Sequence, residues 1–281
     1  MSPRFTFRAV AATAMAATVL TAVPTAHAAL TTIPQSDLVA SSGLYTDRIG
    51  GGIGEARAWT GGVPRSDDPI RNDDAYFEVA LGFNFSLFGN TYSSVYVNTN
   101  GNLTFGSGLS EYIPTGPLGA NRPIISPWFG DVDTRNAGSG LVYVRTDVPN
   151  QLIVTWDNVG YYNTRADATN SFQLVLRGDD YAVPNGEGSV GFWWGNMGWE
   201  ATDTSRTAAV GFGTGSIGDG YALQGSNTAG LNGVVAHHHI WFNTAGGGVV
   251  VTPPVPEPST WALLATGLVA VGVTARRRRA Q

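Results

Sequence analysis

The amino-acid sequence predicts an all-β protein: an antiparallel β-sandwich-like single domain, flanked by an N-terminal signal helix and a C-terminal transmembrane helix. Three observations carry this. Residues 70–245 consist of short runs rich in β-branched and aromatic residues, set about 10 to 15 residues apart and punctuated by Gly, Asn, Asp and Pro. No stretch of helical period longer than two turns lies inside that region. Apolar runs stand at both chain ends, one behind Arg4 and Arg8, the other ahead of Arg276, Arg277, Arg278 and Arg279.

The elements follow in order. Residues 1–28 combine a basic start, the apolar run Ala9 to Val23 and the small-x-small end Ala26-His27-Ala28, the pattern of a secretory signal peptide. The expected cut falls between Ala28 and Ala29. Residues 29–69 are rich in Gly, Thr, Ser, Pro and Asp and predict a loosely structured segment, with one strand at Arg57 to Thr60. Within 70–245, SSVYVNTNGNLTFG places two β-rich runs around Asn100-Gly101, a hairpin signature. LVYVRT, QLIVTWDNV, SFQLVLRG and SVGFWWG predict further strands, and AAVGFGTG, YALQG and HHHIWFN the later ones. Many short strands at regular spacing predict a sandwich or barrel-like body. Residues 246–255 read as a Gly/Val/Pro linker and 256–281 as a tail.

The tail places Pro256-Glu257-Pro258 before the apolar run Trp261 to Ala275. That run spans roughly 22 Å as a helix, against a bilayer core of about 30 Å. The arginines belong on the cytoplasmic side and can snorkel to lengthen the span. The prolines stay out of the helix and hold the motif extended. Such a helix suits a transient halt in translocation; a plain anchor on a Pro-rich stalk is the other reading.

The chain has no cysteine, so no disulfide or thiolate site is available. It has no lysine either; all 16 basic residues are arginine. Ten arginines and 20 acidic residues fall in the exported part, a balance of about −10. Nucleic acid demands a basic surface and is excluded as a partner, while divalent cations are compatible.

Several segments are similar to the nidogen-like (NIDO) extracellular domain. In order these are LGFNFSLFGNTY, VYVNTNGNLTF, IISPWFGDVDTR, NSFQLVL, VGFWWGNMGW, and AAVGFGTG followed by LQGSNTAG. The resemblance implies an extracellular or adhesion-associated domain without catalytic activity. The tail resembles a PEP-CTERM sorting signal, with Pro256, Glu257 and Pro258 in the motif position, then the short helix and the arginine cluster. That resemblance implies recognition by an exosortase, a membrane-embedded transpeptidase of Gram-negative bacteria that make extracellular polysaccharide. Together they imply an exported, non-enzymatic surface or matrix protein that supports cell–matrix adhesion or exopolysaccharide and biofilm association. Its partner would be a polysaccharide or another matrix protein. A secreted carbohydrate-active enzyme, or a calcium-dependent carbohydrate-binding protein, on the same scaffold are the alternatives.

Three groups of residues invite a site. Asp131 and Asp133 would share one face of a strand and, with carbonyls of Asn136 and Gly138, can hold calcium; alternatively Arg135 neutralises them. No other cofactor is expected. His237 and His239 would share a face and His238 would point away, so two at most ligate one metal. Trp193, Trp194 and Trp199 can offer a stacking platform to sugar rings, although Trp193 and Trp194 must face opposite sides of a strand, so that one of them belongs to the core. No serine stands in a Gly-x-Ser-x-Gly arrangement, so no catalytic residue is assigned. The Gly-rich run Gly211 to Gly220 lacks the following helix that a dinucleotide site requires.

Overall fold

A computed structural model describes residues 30–113, 115, 119–205, 207–216 and 218–253. The expected signal peptide with its Ala28/Ala29 cut, the Pro256-Glu257-Pro258 motif, the expected tail helix and Arg276–Arg279 lie outside the described residues. Among the described residues no helix is long and apolar enough to cross a membrane.

In chain order the strands are β1 (Leu30–Ile33), β2 (Val39–Ala40), β3 (Glu55–Ala56), β4 (Gly61–Gly62), β5 (Ala75–Leu87), β6 (Asn90–Asn98), β7 (Asn102–Thr104), β8 (Ile124–Phe129), β9 (Val132–Asp133), β10 (Leu141–Arg145), β11 (Gln151–Tyr161), β12 (Arg165–Arg177), β13 (Val190–Met197), β14 (Ala209–Gly213), β15 (Gly220–Leu223), β16 (His238–Asn243) and β17 (Val250–Val251). Two short helices, α1 (Tyr45–Ile49) and α2 (Leu231–Val235), interrupt them. One sheet runs β1-β15-β14-β8-β7-β6-β5-β4; the other runs β17-β16-β13-β12-β11-β10-β3, with β2 against β16 and β9 against β11. After β1 to β3, which are shared between the sheets, the chain fills the first sheet from β4 to β8, crosses at β9 to the second, returns for β14 and β15, and finishes in the second.

Alternation builds the core, because successive side chains of a strand point to opposite faces. Phe77, Val79 and Leu81 of β5, Leu152, Val154 and Trp156 of β11, and Phe172, Leu174 and Leu176 of β12 all turn into one buried cluster between the sheets. Aromatic rings join the layers. Phe192 of β13 stacks on Phe212 of β14 at 5.2 Å, and the Trp156 Nε1–H donates to the Thr99 carbonyl at 3.0 Å. The Asn100-Gly101 turn forms as expected between β6 and β7. Gly101 is required there: its φ is +76°, and a Cβ would sit 1.8 Å from the Trp128 carbonyl oxygen.

Four expectations need correction. Not every strand pair is antiparallel: β1 lies parallel to β15, Leu30 opposite Gly220. Residues 30–69 are not a loose segment, for they place β1 and β4 in the first sheet and β2 and β3 in the second. Arg57 to Thr60 form no strand; the paired residues flank them, at β3 and β4. The expected linker begins inside the fold, since Val250 and Val251 pair with Asn243 and Phe242. Strands of two residues carry no periodicity of their own and are held by their neighbours' free backbone groups.

The outer face of the second sheet carries its own apolar cluster of Tyr45, Ile153, Val175, Trp193 and Trp241. Tyr45 of α1 covers it, with its ring 5.6 Å from Trp193 and 5.4 Å from Trp241. Gln173 fastens α1 there. It is fully buried, its Oε1 accepts the Tyr45 N–H at 2.9 Å, and its Nε2 donates to Thr155 Oγ1 at 2.8 Å.

Candidate functional site

One end of the sandwich gathers acidic side chains where the chain crosses between sheets. Asn72, Asp73 and Asp74 lead into β5, Thr99 and Asn100 turn from β6 to β7, and Asp131 follows β8. Among the described residues, Asp73, Asp74 and Asp131 form the group whose possible ligand atoms converge, one carboxylate oxygen from each lying within 4.8 Å of the other two. All three are buried; Asp73 is 0% and Asp131 1% exposed. A cavity of about 110 Å³ reaches Asp74 and Asp131 between Arg65, Tyr112, Tyr162 and Thr204.

The bonding in the group is uneven. Asp74 is engaged at both oxygens, accepting from Asn100 Nδ2 at 2.9 Å and from Arg65 Nη2 at 3.2 Å. Asp131 accepts from the Thr202 hydroxyl through Oδ2 at 3.2 Å, while its buried Oδ1 has no hydrogen-bond partner. Neither oxygen of Asp73 receives a hydrogen bond, although Arg135 Nη2 lies 3.0 Å from Oδ2 at ion-pair range. Burial pushes the Asp73 carboxyl up to about 7, reinforced by the charges of Asp74 and Asp133 and opposed by Arg135. The Asp131 carboxyl is likewise pushed up to about 7, mainly by burial and then by Asp74. Asp74 is raised by burial too, with the Asn100 hydrogen bond and Arg65 opposing.

The expected Asp131–Asp133 pair is divided between two tasks. Asp133 is committed to structure, accepting from Arg135 at both oxygens and from the Thr164 N–H at 2.8 Å. The Asn136 and Gly138 loop, expected to add carbonyl ligands, is bonded elsewhere. The Asn136 carbonyl accepts from Arg71 at 2.9 Å, and its Oδ1 accepts the Gly138 N–H at 2.7 Å. Sequence reading missed Asp73 and Asp74. The signal was present in Asn72-Asp73-Asp74 directly before an aromatic strand, where acids must enter the protein with the strand that follows.

The other candidates separate. His237 is exposed, His238 Nδ1 lies 2.8 Å from the Ala236 carbonyl, and His239 stacks on Trp193 at 4.1 Å. The three tryptophans form no open platform, since each is at most 5% exposed. Trp193 belongs to the outer cluster under Tyr45, whereas Trp194 faces the core and donates from Nε1 to the Pro127 carbonyl at 2.9 Å. Trp199 donates to the Val159 carbonyl at 3.1 Å and meets Trp128 edge-on. Large apolar rings at strand positions are drawn into packing before they are available to a ligand.

Comparison with known proteins identifies two matches along the chain. The family described as NIDO related matches residues 56–250, and the PEP-CTERM protein-sorting motif matches residues 254–279. Alpha-tectorin from Gallus gallus is 27% identical over 197 residues, covering 57% of this chain and 9% of that protein. Nidogen from Drosophila melanogaster is 29% identical over 115 residues, covering 32% of this chain and 8% of that protein. Dendrite extension defective protein 1 from Caenorhabditis elegans is 27% identical over 166 residues, covering 51% and 14%. The chain thus spans 14% or less of the length of these curated relatives. No solved structure gives a significant match. A NIDO-related body followed by a PEP-CTERM motif marks an exported, extracellular or surface protein. The NIDO match runs from β3 to β17 and takes in both sheets, and this chain belongs to the NIDO-related family.

Proposed function

We propose that this protein crosses the inner membrane, is cut at its tail by an exosortase-type transpeptidase, and then works outside the cell by contact and not by catalysis. In this reading the signal peptide is removed between Ala28 and Ala29. Pro256, Glu257 and Pro258 are the recognition motif, and the tail helix with Arg276–Arg279 holds the chain in the membrane only until the cut. The NIDO-related body remains as a surface or matrix component that binds polysaccharide or another matrix protein and supports adhesion or biofilm cohesion.

The observation that carries this is one of order: the sorting-motif match at 254–279 begins three residues past the last paired strand, which ends at Val251. The excess of acidic over basic residues in the exported part favours solubility and disfavours nucleic acid.

Terminal-peptide mass spectrometry of the surface fraction tests the reading, in cells with and without the exosortase. The expected mature chain starts at Ala29 and lacks Arg276–Arg279, and deletion of the exosortase restores the arginines. A surface form with the arginine tail intact in normal cells would establish a plain anchor instead. Unprocessed chain in the cytosol would overturn the export itself.

A further inference from the structure

We propose that Asp73, Asp74 and Asp131 form a binding site for one calcium ion, entered through the cavity lined by Arg65, Tyr112, Tyr162 and Thr204. The proposal is independent of how the tail is processed.

Geometry comes first. Oxygens bound to one calcium ion at 2.3–2.6 Å stand at most about 5.2 Å apart. The three carboxylates bring oxygens within 4.8 Å of one another, inside that limit. Magnesium, at about 2.1 Å, tolerates a spread of only about 4.2 Å and demands near-octahedral order. The donors are all oxygen, which suits hard cations and not the zinc or copper that histidine and thiolate select.

A second observation separates this group from an ordinary acidic cluster. The Asp131 Oδ1 and both Asp73 oxygens are buried without a hydrogen-bond partner. Buried carboxylate oxygens are costly to leave so, and of the three only Asp73 Oδ2 lies in an ion pair, with Arg135 and Arg65. The cavity of about 110 Å³ opens on Asp74 and Asp131. It has room for the few waters that would complete the six to eight ligands of calcium.

Charge points the same way. Asp73, Asp74, Asp131 and Asp133 face two guanidinium groups, those of Arg65 and Arg135. With every group ionised, two negative charges are left over, which one divalent cation neutralises. Arg135 is anchored on Asp133. Arg65 is different: its side chain is 36% exposed and it reaches in from the segment before β5, to 3.2 Å from Asp74 and 3.9 Å from Asp73. It occupies the mouth of the site as a built-in counter-charge and competes with the ion. That competition places the affinity in the weak range of extracellular modules, about 10⁻⁴–10⁻³ M.

The test uses the full chain in detergent, stripped with EDTA and dialysed. Calcium chloride is titrated at pH 7.5 by calorimetry, with thermal unfolding at 0 and 10 mM calcium. The expected result is one calcium per chain and a Tm higher by several degrees at 10 mM, with a smaller shift in magnesium. Asp131→Asn should fold, as circular dichroism reports, yet lose both the binding and the shift. Arg65→Ala should bind calcium roughly three- to tenfold more tightly, since a competing charge is gone. Absence of heat and of any Tm shift up to 10 mM overturns the proposal, and so does a shift that persists in Asp131→Asn. If Asp131→Asn does not fold, Arg65→Ala decides: unchanged or weaker calcium affinity overturns it.

Discussion

Arg135 folds back onto Asp133, two residues before it, with Nε 2.9 Å from Oδ1 and Nη2 2.5 Å from Oδ2. This contact decides which acids remain available. With Asp133 engaged by Arg135 and by the Thr164 N–H, its neighbour Asp131 turns to Asp73 and Asp74, 58 and 57 positions back along the chain.

The site should make stability depend on pH in a stated direction. Asp73 and Asp131 are pushed up to about 7 by burial and by Asp74 and Asp133, against Arg65 and Arg135. A folded pKa above the unfolded value means that the native state holds protons the unfolded chain has released. The resulting stability is whole below about pH 4 and is lost as pH rises through 7. In EDTA, the Tm of Asp131→Asn relative to the parent chain should therefore rise from pH 5 to pH 8. A relative Tm that stays flat over this range would contradict the raised pKa.

Arg177 is a buried cation whose partner can be removed. It is 0% exposed, pairs with Glu187, and donates to Tyr45 Oη at 2.7 Å and to Gln151 Oε1 at 3.1 Å. Glu187→Gln leaves that charge with neutral partners only. The expected loss is near the lower end of the roughly 3–5 kcal/mol that breaking a buried pair costs. Urea unfolding measures it, and a loss under 0.5 kcal/mol, the scatter of surface substitutions, would show the pair to be dispensable.

Gly101→Ala tests the β6–β7 turn. The added methyl would overlap the Trp128 carbonyl and occupy a φ of +76°. A destabilisation of more than about 2 kcal/mol is expected, beyond left-handed strain alone. Equal stability of the two chains by chemical denaturation would mean that the turn is not held against β8.

Gln173→Leu tests whether residues 41–54 are held by the sheet. The change leaves the Tyr45 N–H and Thr155 Oγ1 without the amide that now bonds both. Each unsatisfied group costs about 1–3 kcal/mol. Faster hydrogen exchange at Tyr45 and proteolysis within 41–54, ahead of global unfolding, are the expected readouts. Unchanged protection would mean that ring packing on Trp193 and Trp241 suffices.

Much of the fold was legible in the chain. β10 through β16 lie where their β-branched and aromatic runs stand, because those residue types suit an extended chain and the turn residues that bound each run act locally. The Asn100-Gly101 hairpin was legible for the same reason, as its glycine meets a local backbone demand. The segment 30–69 was not legible. Its pairs are two to four residues long, and only β10, β5, β15 and β16 supply what they bind. The alternation of Trp193 and Trp194, with one of them in the core, was legible; that the other is covered too was not, since burial depends on what covers a face, and Tyr45 covers Trp193 from outside the sheet.

The sequence by itself determined where most strands of the body lie along the chain, the hairpin, the excess of acid and the sorting motif that follows the body. Only the tertiary structure decided that Asp73 and Asp74 meet Asp131 and that Asp133 belongs to Arg135. The physical reason is distance: strand periodicity acts between residues two apart, whereas a cluster of buried charges is assembled by the crossing of chain segments between two sheets, and no local pattern encodes that crossing.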